Sequence, residues 1–521
     1  MRFLSVQQMR AADAATMARP ETAGMFLMFR AGRAVARAAA RLSRLRGERR
    51  IVCVAGRGNN GGDAIVAARL LSETGFSVHL LLAADPAQLR GDAATAWRWF
   101  SEAALPVTCC PDLAAWREPS LAAGTLLMEG VVVDGVLGTG CSRAPEGTVL
   151  EAIRWINARR PAAAVLAVDL PSGMNGDTGA CPGEAVAADW TVTLARPKPC
   201  FARDGSVPWV GHLSVADIGM PDTVADAEST PTGFQLIAGP EVLRARPTRE
   251  AASHKGDYGR LLIIGGSDAY PHAPVLAAAG ALRAGVGLLT LVASEASRPA
   301  AAALAPEAMF TALPQTGGTL SAEALAAAGI ALERFDGIVL GPGLGRTPAT
   351  AQLVEWILRR APGRLLLDAD ALTLLAEIGS LSDGAPATQQ RILTPHPGEA
   401  ARLAGLSTGA VQAARSGSVR ALADRYRATV VLKGSGTLVC DPGEEPWLNR
   451  TGNPGMATGG SGDVLAGIIG ALWVQGLTSL QAATLGVWLH GCAGDRAAWR
   501  LNTPSVTARD LLAHLRFDPE Q

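Results

Sequence analysis

The chain has 521 residues, of which 48% are hydrophobic and 18% charged, and its 47 basic residues balance its 47 acidic ones. This length predicts two or three domains, and the balanced charge gives no indication of a nucleic-acid surface or of an acidic partner. Neither a run of roughly 18 apolar residues nor an export signal is visible, and eight cysteines without C-x-x-C spacing predict reduced thiols and a cytoplasmic location.

The first half of the chain alternates short β-branched strands with Ala- and Arg-rich helices, which is typical of an α/β domain with a parallel sheet. Strands are predicted at residues 51–55, 77–82, 130–134, 164–169 and 190–194. Helices are predicted at residues 7–18, 25–45, 62–73, 92–104 and 147–159. The pattern stops near Gly219, and the Pro- and Thr-containing stretch up to Ala252 is predicted to be a linker.

Polar groups follow three of these strands, in the segments GRGNNGGD (56–63), VDGVLGTG (133–140) and VDLPSG (168–173). Because the carboxyl ends of parallel strands meet at one edge of a sheet, Asn60, Asp134, Asp169 and Ser172 are predicted to converge. Such a set of oxygen atoms suits a hard cation, including a monovalent one. The alternative is that each Asp only caps a following helix or turn.

Two further expectations concern the local conformation and chemistry of these segments. The tract Asn59-Asn60-Gly61-Gly62 is predicted to form a turn before a helix start, since these residues tolerate left-handed backbone angles, and the Asn side chains offer amide and carbonyl groups to a ligand or cation. Asp169 is the preferred proton-transfer group, since it ends a buried strand beside a Pro-Ser-Gly turn.

Through GNNGGD, VDGVLGTG, AVDLPSG and PKP, residues 1–220 resemble the NAD(P)H-hydrate epimerase family, which has a Rossmann-like three-layer fold. The resemblance implies a potassium ion at Asn60, Asp134 and Ser172. It also implies substrate contacts from Asn59, Asn60, Gly61, Gly62, Asp63, Gly138, Thr139, Gly140, Cys141, Ser142, Arg143, Ala144 and Asp169. The chain departs from the family at one place, where Phe29 and Arg30 replace the Glu-Asn pair of an LMENAG-like helix.

A second α/β series begins after the linker. Strands are predicted near residues 261–264, 288–292, 337–340, 365–368, 391–394 and 429–433, and a helical tail from 462 to about 515. The segments GPGLG (341–345), DAD (368–370), TPHPGE (394–399) and KGSGT (433–437) lie at strand ends, where an α/β crevice binds its ligand. His396 is either a capping residue or, held between two prolines, a substrate contact.

Residues 453–463, NPGMATGGSGD, precede an apolar helical stretch. Small residues before a helix direct several backbone amides and the positive helix end toward one point, which predicts a bound anion. Asp463 would repel a phosphate there, unless it takes a proton from a hydroxyl that attacks the phosphate. The loop therefore predicts phosphoryl transfer with Asp463 as the base, and a plain turn before a helix is the alternative.

Lysine is rare in this chain, since only Lys198, Lys255 and Lys433 occur among 47 basic residues. All three lie in Gly- or Pro-rich segments. We infer that lysine is kept where a compact ammonium group is needed and a planar guanidinium would not fit.

The motifs KGDYGRLLIIGGS, GPGLG, LDADAL, TPHPGE, KGSGT and NPGMATGGSGDVLAG follow one another between about residues 251 and 515. In this order they resemble the ribokinase-like ADP/ATP-dependent NAD(P)H-hydrate dehydratase family. The resemblance implies nucleotide binding by Lys433, Gly434, Ser435, Gly436, Thr437 and Gly462. It implies contacts with the hydrated nicotinamide from Ala273, Gly343, His396 and Asp463.

The two resemblances together predict a bifunctional isomerase and lyase that repairs hydrated NADH and NADPH. Its expected parts are an epimerase domain (1–220), a linker (221–250) and a dehydratase domain (251–521), with Asp169 and Asp463 as catalytic residues. K⁺ is expected in the first domain and Mg²⁺ with ADP or ATP in the second. The expected partners are small molecules, without nucleic acid or membrane, in a homo-oligomer.

Two alternatives remain open at this level. One is a ribokinase-like small-molecule kinase that releases a stable phosphorylated product. The other is a first half that only binds nucleotides and catalyses nothing.

Overall fold

The computed structural model describes residues 1–19, 22, 25–118, 129–229, 233–379 and 386–517. It contains two compact units, one from Met1 to Pro240 and one from Glu241 to Glu520. Both units combine helices with a largely parallel sheet, which confirms the predicted α/β class.

The first unit is built on a parallel sheet with the strand order β3-β2-β1-β4-β5-β6-β7. The order reverses between β1 and β4, so a crevice opens at the carboxyl ends of these two strands. The strands are β1 (Arg50–Ala55), β2 (Ser77–Leu82), β3 (Val107–Cys109), β4 (Gly130–Gly135), β5 (Ala163–Val168), β6 (Trp190–Leu194) and β7 (His212–Ala216).

Helices cover both faces of this sheet and complete three layers. On one face, Ile153 and Trp155 pack with Val52, Val54 and other alternate strand residues in a buried cluster. On the other face, the helices Phe26–Leu45 and Asn59–Glu73 contact β1 and β4. The helices of this unit are Val6–Met17, Phe26–Leu45, Asn59–Glu73, Gly91–Ser101, Leu113–Trp116, Gly147–Asn157, Val207–Val210 and Asp222–Glu228.

The stretch predicted as a linker contains regular structure. It forms the helices Asp222–Glu228 and Gly239–Val242 and the two-residue strand β8 (Gln235–Leu236), while residues 230–232 lie outside the described ones. Its Pro, Thr and Asp residues suit helix starts and turns as well as linkers, so composition alone did not distinguish the two.

The second unit has a sheet with the strand order β11-β10-β9-β12-β13-β14-β15-β16-β17. Strands β11 to β15 are parallel to their neighbours, and β16 and β17 continue the sheet antiparallel. The strands are β9 (Arg260–Ile264), β10 (Leu288–Ser294), β11 (Met309–Leu313), β12 (Gly337–Leu340), β13 (Arg364–Leu367), β14 (Gln390–Leu393), β15 (Thr429–Leu432), β16 (Leu438–Cys440) and β17 (Trp447–Leu448).

Several helices of the second unit begin at residues whose side chains satisfy free backbone amides. Thr478, for example, accepts from the Gln481 amide while the Gln481 side chain accepts from the Thr478 amide. The helices are Ala273–Arg283, Arg298–Leu304, Ala322–Ala327, Pro348–Arg360, Asp370–Ile378, Pro397–Ala404, Thr408–Ala413, Arg415–Tyr426, Ser461–Val474, Ser479–Leu501 and Ala508–His514.

Two general expectations can be compared with this structure. Across the described parts of the chain, every helix is too short or too polar to cross a bilayer. All eight cysteines are free thiols.

Candidate functional site

The Asn-Gly tract after β1 is the first turn of a helix, and the turn predicted before the helix start is wrong. The helix starts at Asn59 with Gly58 as its N-cap, and neither Gly61 nor Gly62 has a positive φ. The glycines are needed for space, since a Cβ on Gly61 would lie 1.9 Å from the Gly56 carbonyl oxygen. The tract therefore lets the helix start pack directly against the end of β1.

Gly61→Ala is expected to destabilise the first unit by about 2 kcal/mol or more, because the added methyl group meets backbone that cannot turn aside. Gly58→Ala is the matched control, since a Cβ there has nothing within 4 Å. Its N-cap position predicts a cost of only about 0.5 kcal/mol. Urea unfolding of both variants measures the difference, and equal costs would contradict this account of the tract.

Asp134 and Ser172 are joined at the ends of β4 and β5, as the sequence predicted for converging strand ends. The Ser172 hydroxyl donates to Asp134 Oδ1 over 2.6 Å, and the Ser172 amide donates to Asp134 Oδ2 over 2.8 Å. Asn60 lies beside them, since its Nδ2 donates to the Leu137 carbonyl over 2.9 Å and the Leu137 amide donates to Ser172 Oγ. One crevice therefore holds all three residues.

This group of oxygen atoms fits a monovalent cation. Asp134 is completely buried, and burial raises its pKa to about 6 although hydrogen bonds from Ser172 and Val136 lower it. A cation beside this carboxylate would offset the cost of burying its charge. Among the described residues no cluster of three or more His, Cys, Asp or Glu side chains exists, and K⁺ needs none because neutral oxygens can complete its shell.

Asp169 follows β5 in a strained backbone conformation, with φ of 63°. Its Oδ1 accepts hydrogen bonds from the Leu194 amide over 3.0 Å and from Thr193 Oγ1 over 3.1 Å, and Lys198 Nζ forms an ion pair with the same oxygen. Lys198 is 1% exposed and also donates to the Leu194 carbonyl. A non-glycine residue held at positive φ by this many donors indicates a carboxylate whose position matters.

Two more carboxylates lie near this pair, and the sequence analysis did not connect Asp13 with the site at all. Burial raises the pKa of Asp63 well above its ordinary range, and the negative charges of Asp169 and Asp13 raise it further. Burial also raises the pKa of Asp13 to about 6, while Lys198 lowers it. The region therefore combines several acidic groups with a single buried ammonium group among its described residues.

The segment from Gly138 to Ala144 forms an irregular loop after β4. Gly138 lies against Asn60, since a Cβ there would be 3.1 Å from Asn60 Oδ1. The Cys141 carbonyl accepts from Asn175 Nδ2 over 3.1 Å, which ties this loop to the one after β5. The exposed members of the loop are Gly140, Ser142, Arg143 and Ala144.

The unusual Phe29-Arg30 pair makes contacts within the first unit. The Phe29 ring lies 6.0 Å from the Trp99 ring, and Arg30 pairs with Asp217 over 3.6 Å while stacking on Phe26. The preceding residue, Met28, points at the Asn-Gly tract, because a Cβ on Gly62 would lie 2.5 Å from its Cε. With Phe29 and Arg30 in place of the Glu-Asn pair, the helix Phe26–Leu45 is thus still packed against the candidate site.

Asp463 is the third residue of the helix Ser461–Val474, at the positive end of the helix dipole. Its pKa is raised to about 7 by burial and by the nearby Asp368, while Lys433 lowers it. A carboxylate with a pKa near neutrality can both accept and hold a proton at physiological pH. The sequence prediction of a base at this helix start is consistent with this environment.

Lys433 connects three strand ends. Its Nζ donates to Asp368 Oδ1 over 2.8 Å and lies 4.0 Å from Glu399 Oε2, and Asp368 also accepts from Thr394 Oγ1. Burial lowers the pKa of Lys433, but Asp368 and Glu399 raise it by more, so the ammonium is kept charged. Gly462 borders this group, because a Cβ there would lie 3.3 Å from Lys433 Nζ. Glu399, which the sequence analysis did not assign, thus belongs to the cluster.

His396 is a helix cap that remains accessible. Its Nδ1 accepts from the Gly398 and Glu399 amides over 3.0 and 3.3 Å, while its side chain is 52% exposed. Burial and the charge of Lys433 lower its pKa, so the ring is neutral at pH 7. The capping alternative is therefore observed, and His396 Nε2 lies 3.2 Å from Glu399 Oε1.

Gly343 and Ala273 lie together at the other side of this crevice. Gly343 has φ of 61°, and a Cβ there would lie 2.5 Å from the Tyr270 carbonyl oxygen and 2.9 Å from the Ala273 Cβ. Ala273 is the first residue of the helix Ala273–Arg283. Glycine is required at 343 both by its backbone angle and by this close approach.

Two of the three lysines of this chain lie in the candidate sites. Lys198 is the buried ammonium group of the first candidate site and Lys433 the partly buried one of the second, although only Lys433 was assigned to a site from the sequence. Lys255 lies in an exposed turn, where nothing indicates a site. Two sequence signals therefore pointed to Lys198, the scarcity of lysine and the PKP motif that contains it.

Comparisons with known proteins cover both units. A family model described as NAD(P)H-hydrate dehydratase matches residues 261–516, and one described as YjeF-related protein N-terminus matches residues 24–200. The bifunctional NAD(P)H-hydrate repair enzyme Nnr of Moorella thermoacetica is 40% identical over 90% of this chain and 87% of that protein. The enzyme of the same name from Coxiella burnetii is 38% identical over 94% of each chain.

A solved structure is similar to part of this chain. It is the ADP/ATP-dependent NAD(P)H-hydrate dehydratase of Bacillus subtilis co-crystallised with ATP and Mg²⁺, which is 30% identical. The match covers 55% of this chain and 97% of that one, with a TM-score of 0.47.

Proposed function

The chain belongs to the family of bifunctional NAD(P)H-hydrate repair enzymes. On that premise we propose that its first unit interconverts the R and S forms of hydrated NADH and NADPH. Its second unit dehydrates the S form. The co-substrate is ADP or ATP, and the products are NADH or NADPH, phosphate, and AMP or ADP. Membership in this family confirms the predicted Rossmann-like first unit and ribokinase-like second unit. The observation that carries the dehydratase proposal is the buried Asp463 at a helix start beside Lys433.

Dehydration has to remove a hydroxyl group from C6 of the nicotinamide ring, and hydroxide is a poor leaving group. In the proposed reaction Asp463 accepts the proton of this hydroxyl, and the oxygen attacks the terminal phosphorus of the nucleotide. The C6–O bond then breaks as the lone pair of the ring nitrogen forms a C=N bond, and phosphate leaves with the former hydroxyl oxygen. Loss of the C5 proton restores the dihydronicotinamide.

The surroundings of Asp463 supply positive charge for the transferring phosphoryl group. The start of the helix Ser461–Val474 lies beside Lys433, since a Cβ on Gly462 would be 3.3 Å from Lys433 Nζ, and the amides of Gly459, Gly460 and Gly462 are assigned to this group of donors. Mg²⁺, when bound with the nucleotide, would neutralise part of the phosphate charge. We assign nucleotide contacts to Lys433, Gly434, Ser435, Gly436, Thr437 and Gly462, and contacts with the hydrated ring to Ala273, Gly343, His396 and Asp463.

Epimerisation at C6 requires the hydroxyl to leave one face of the ring and to return on the other. A residue must therefore give a proton to the oxygen and take it back, and we assign this role to Asp169. Lys198 would hold the Asp169 carboxylate in place through their ion pair. The residues of the Asn59–Asp63 tract and of the loop from Gly138 to Ala144 are assigned to substrate binding.

Asn60, Asp134 and Ser172 would hold the K⁺ ion of the first unit. When bound, the ion would supply a fixed positive charge at the carboxyl ends of β1, β4 and β5. Support comes from the buried Asp134 carboxylate, whose hydrogen bonds to Ser172 and Val136 only partly offset its desolvation. A homo-oligomer and a cytoplasmic location also stay proposals, and the eight free thiols are consistent with the second.

The rate of dehydration is expected to depend on the ionisation of Asp463, which must be deprotonated to accept a proton. Its pKa is raised from an ordinary 3.8 to about 7, so log kcat/KM should rise with a slope of about one below pH 7 and level off above it. Initial rates measured across this range test the expectation. Burial also raises the pKa of Glu399 to about 7, so Glu399→Gln serves as the control. In this variant log kcat/KM should still rise with pH below pH 7. A flat profile through pH 7 would contradict the assignment.

The proposed dehydratase is distinguished from a small-molecule kinase by its products. A mixture of hydrated NADH and ADP should yield one NADH, followed at its absorbance, for each inorganic phosphate released. A stable phosphorylated product without inorganic phosphate would establish the kinase and exclude the dehydratase.

A further inference from the structure

The segment from Lys433 to Thr437, which joins β15 to β16, is held from one side by a single arginine that no motif predicted. Arg415 is the first residue of the helix Arg415–Tyr426. Its Nη2 donates to the Leu432 and Gly436 carbonyls, over 3.1 Å each, and to the Lys433 carbonyl over 3.3 Å. Its Nη1 donates to Gln412 Oε1 over 2.9 Å, which ties the guanidinium to the preceding helix, Thr408–Ala413.

These contacts determine which way the amides of the segment point. In a planar trans peptide the N–H is directed opposite to the C=O, so the units whose carbonyls face Arg415 turn their amides to the other side. The three amides concerned belong to Lys433, Gly434 and Thr437. The Lys433 amide donates to the Pro395 carbonyl over 2.9 Å, whereas the Gly434 and Thr437 amides donate to no acceptor within the described residues. Gly434 and Gly436 have φ of 131° and 65°, angles that permit this arrangement and that other residues rarely adopt.

Two free amides in the segment that also carries the Lys433 ammonium are donors suited to an anion. A guanidinium can keep such a group in shape because it is planar and always charged, with several N–H donors that reach separate carbonyls at once. A lysine at this position could not reproduce the planar fork. The side chain thus acts on the far side of the segment from any bound nucleotide.

We propose that Arg415 is a positioning residue that sets the shape of the nucleotide-binding segment from Lys433 to Thr437 and thereby the affinity for ADP and ATP. The proposal rests on the function assigned to the second unit. Arg415 does not contact the hydrated nicotinamide in this account, so its loss should act on the nucleotide alone.

The test compares Arg415→Met and Arg415→Lys with Arg425→Met. Arg425 lies on the same helix and donates to the Leu403 carbonyl over 2.9 Å, away from the segment, which makes it a matched control. Calorimetry gives the Kd of ADP for each variant, and steady-state rates give the KM values of ADP and of hydrated NADH. Melting temperatures report whether each variant is folded.

For Arg415→Met we expect the Kd and KM of ADP to rise about tenfold or more, with the KM of hydrated NADH within about twofold of the wild type. Arg415→Lys should bind ADP several-fold more weakly than the wild type does. Arg425→Met should bind ADP as tightly as the wild type. Unchanged ADP affinity in Arg415→Met, full recovery in Arg415→Lys, or a parallel rise in both KM values would overturn the proposal. If Arg415→Met does not fold, Arg415→Lys decides.

Failure of the assigned function would be recognised separately. In that case the wild-type protein would bind ADP without forming NADH, and calorimetry would still report the effect of Arg415 on the nucleotide.

Discussion

Asp463→Asn is expected to lower kcat for dehydration by about 10²- to 10⁴-fold, the range typical for loss of a general base. The amide has nearly the same shape as the carboxylate but cannot accept the hydroxyl proton, so attack on the phosphorus is lost while the site stays formed. NADH formation from the hydrate and ADP measures the effect. Asp424→Asn is the matched control, since Asp424 is exposed and its side chain accepts from the Gly443 amide. Retention of more than about a tenth of the wild-type kcat would refute the assignment.

The same variant is expected to be at least as stable as the wild type above pH 7. The folded-state pKa of Asp463 is raised to about 7 by burial, above its unfolded value, so its contribution to stability is full below the unfolded pKa and is lost as pH rises through about 7. The asparagine side chain of the variant does not ionise and loses nothing over this range. The melting temperature of Asp463→Asn relative to that of the wild type should therefore increase between about pH 4 and 8. Such an increase shows that the variant is folded, so its lower kcat reflects the missing proton acceptor.

Asp169→Asn is expected to slow epimerisation by about 10²- to 10⁴-fold. The variant removes the proton acceptor and leaves the buried Lys198 without its ion pair, so both the chemistry and the position of the side chain at residue 169 are affected. Chromatographic separation of the two hydrate epimers, incubated without nucleotide, measures the rate. Dehydration of the S form by the second unit should continue at its normal rate.

Asp177→Asn provides the control in the same unit. Asp177 accepts from the Val6 amide over 2.8 Å and has no assigned part in proton transfer. Its epimerisation rate should equal that of the wild type. If Asp169→Asn epimerises as fast as this control, Asp169 is not the proton-transfer group, and a wild-type protein that epimerises nothing would make the first unit a binding module.

Much of the second site could be predicted because each of its parts is a short local motif. The segment GGSGD contains its own helix start, and KGSGT contains the glycines that its backbone angles require. Because β13, β14 and β15 are neighbouring parallel strands, their carboxyl ends lie side by side. This placement is enough to group Asp368, His396 and Lys433. The local sequence was thus enough to propose the residues of the second site and to predict where most of them lie.

Residues that act through tertiary contacts were not predicted. Asp13 lies on the first helix and joins Asp169 and Lys198 only when the unit is folded, and no pattern in its own segment distinguishes it from a surface carboxylate. Arg415 is one of many arginines, and its role depends on carbonyls 17 to 21 residues further along the chain. Sequence periodicity reports which face of a helix is buried and does not report which partner it meets.

The Asn-Gly tract shows the opposite kind of error. Its composition favours a left-handed turn, yet Asn59 begins a helix because the close approach of Gly61 to the Gly56 carbonyl leaves no room for a looser turn. Tertiary packing overrode a local preference at this position.

The central claim is that both units act on the same damaged cofactor, and its most direct test uses an equilibrated mixture of R- and S-hydrated NADH. The wild-type protein is supplied with ADP and, in a parallel reaction, with ATP, and NADH absorbance is followed to completion. We expect full recovery of NADH with at least one of the two nucleotides, together with an equal amount of inorganic phosphate. Recovery that stops at the starting share of the S form would contradict an active epimerase despite the Phe29-Arg30 pair, and no recovery with either nucleotide would contradict the dehydratase.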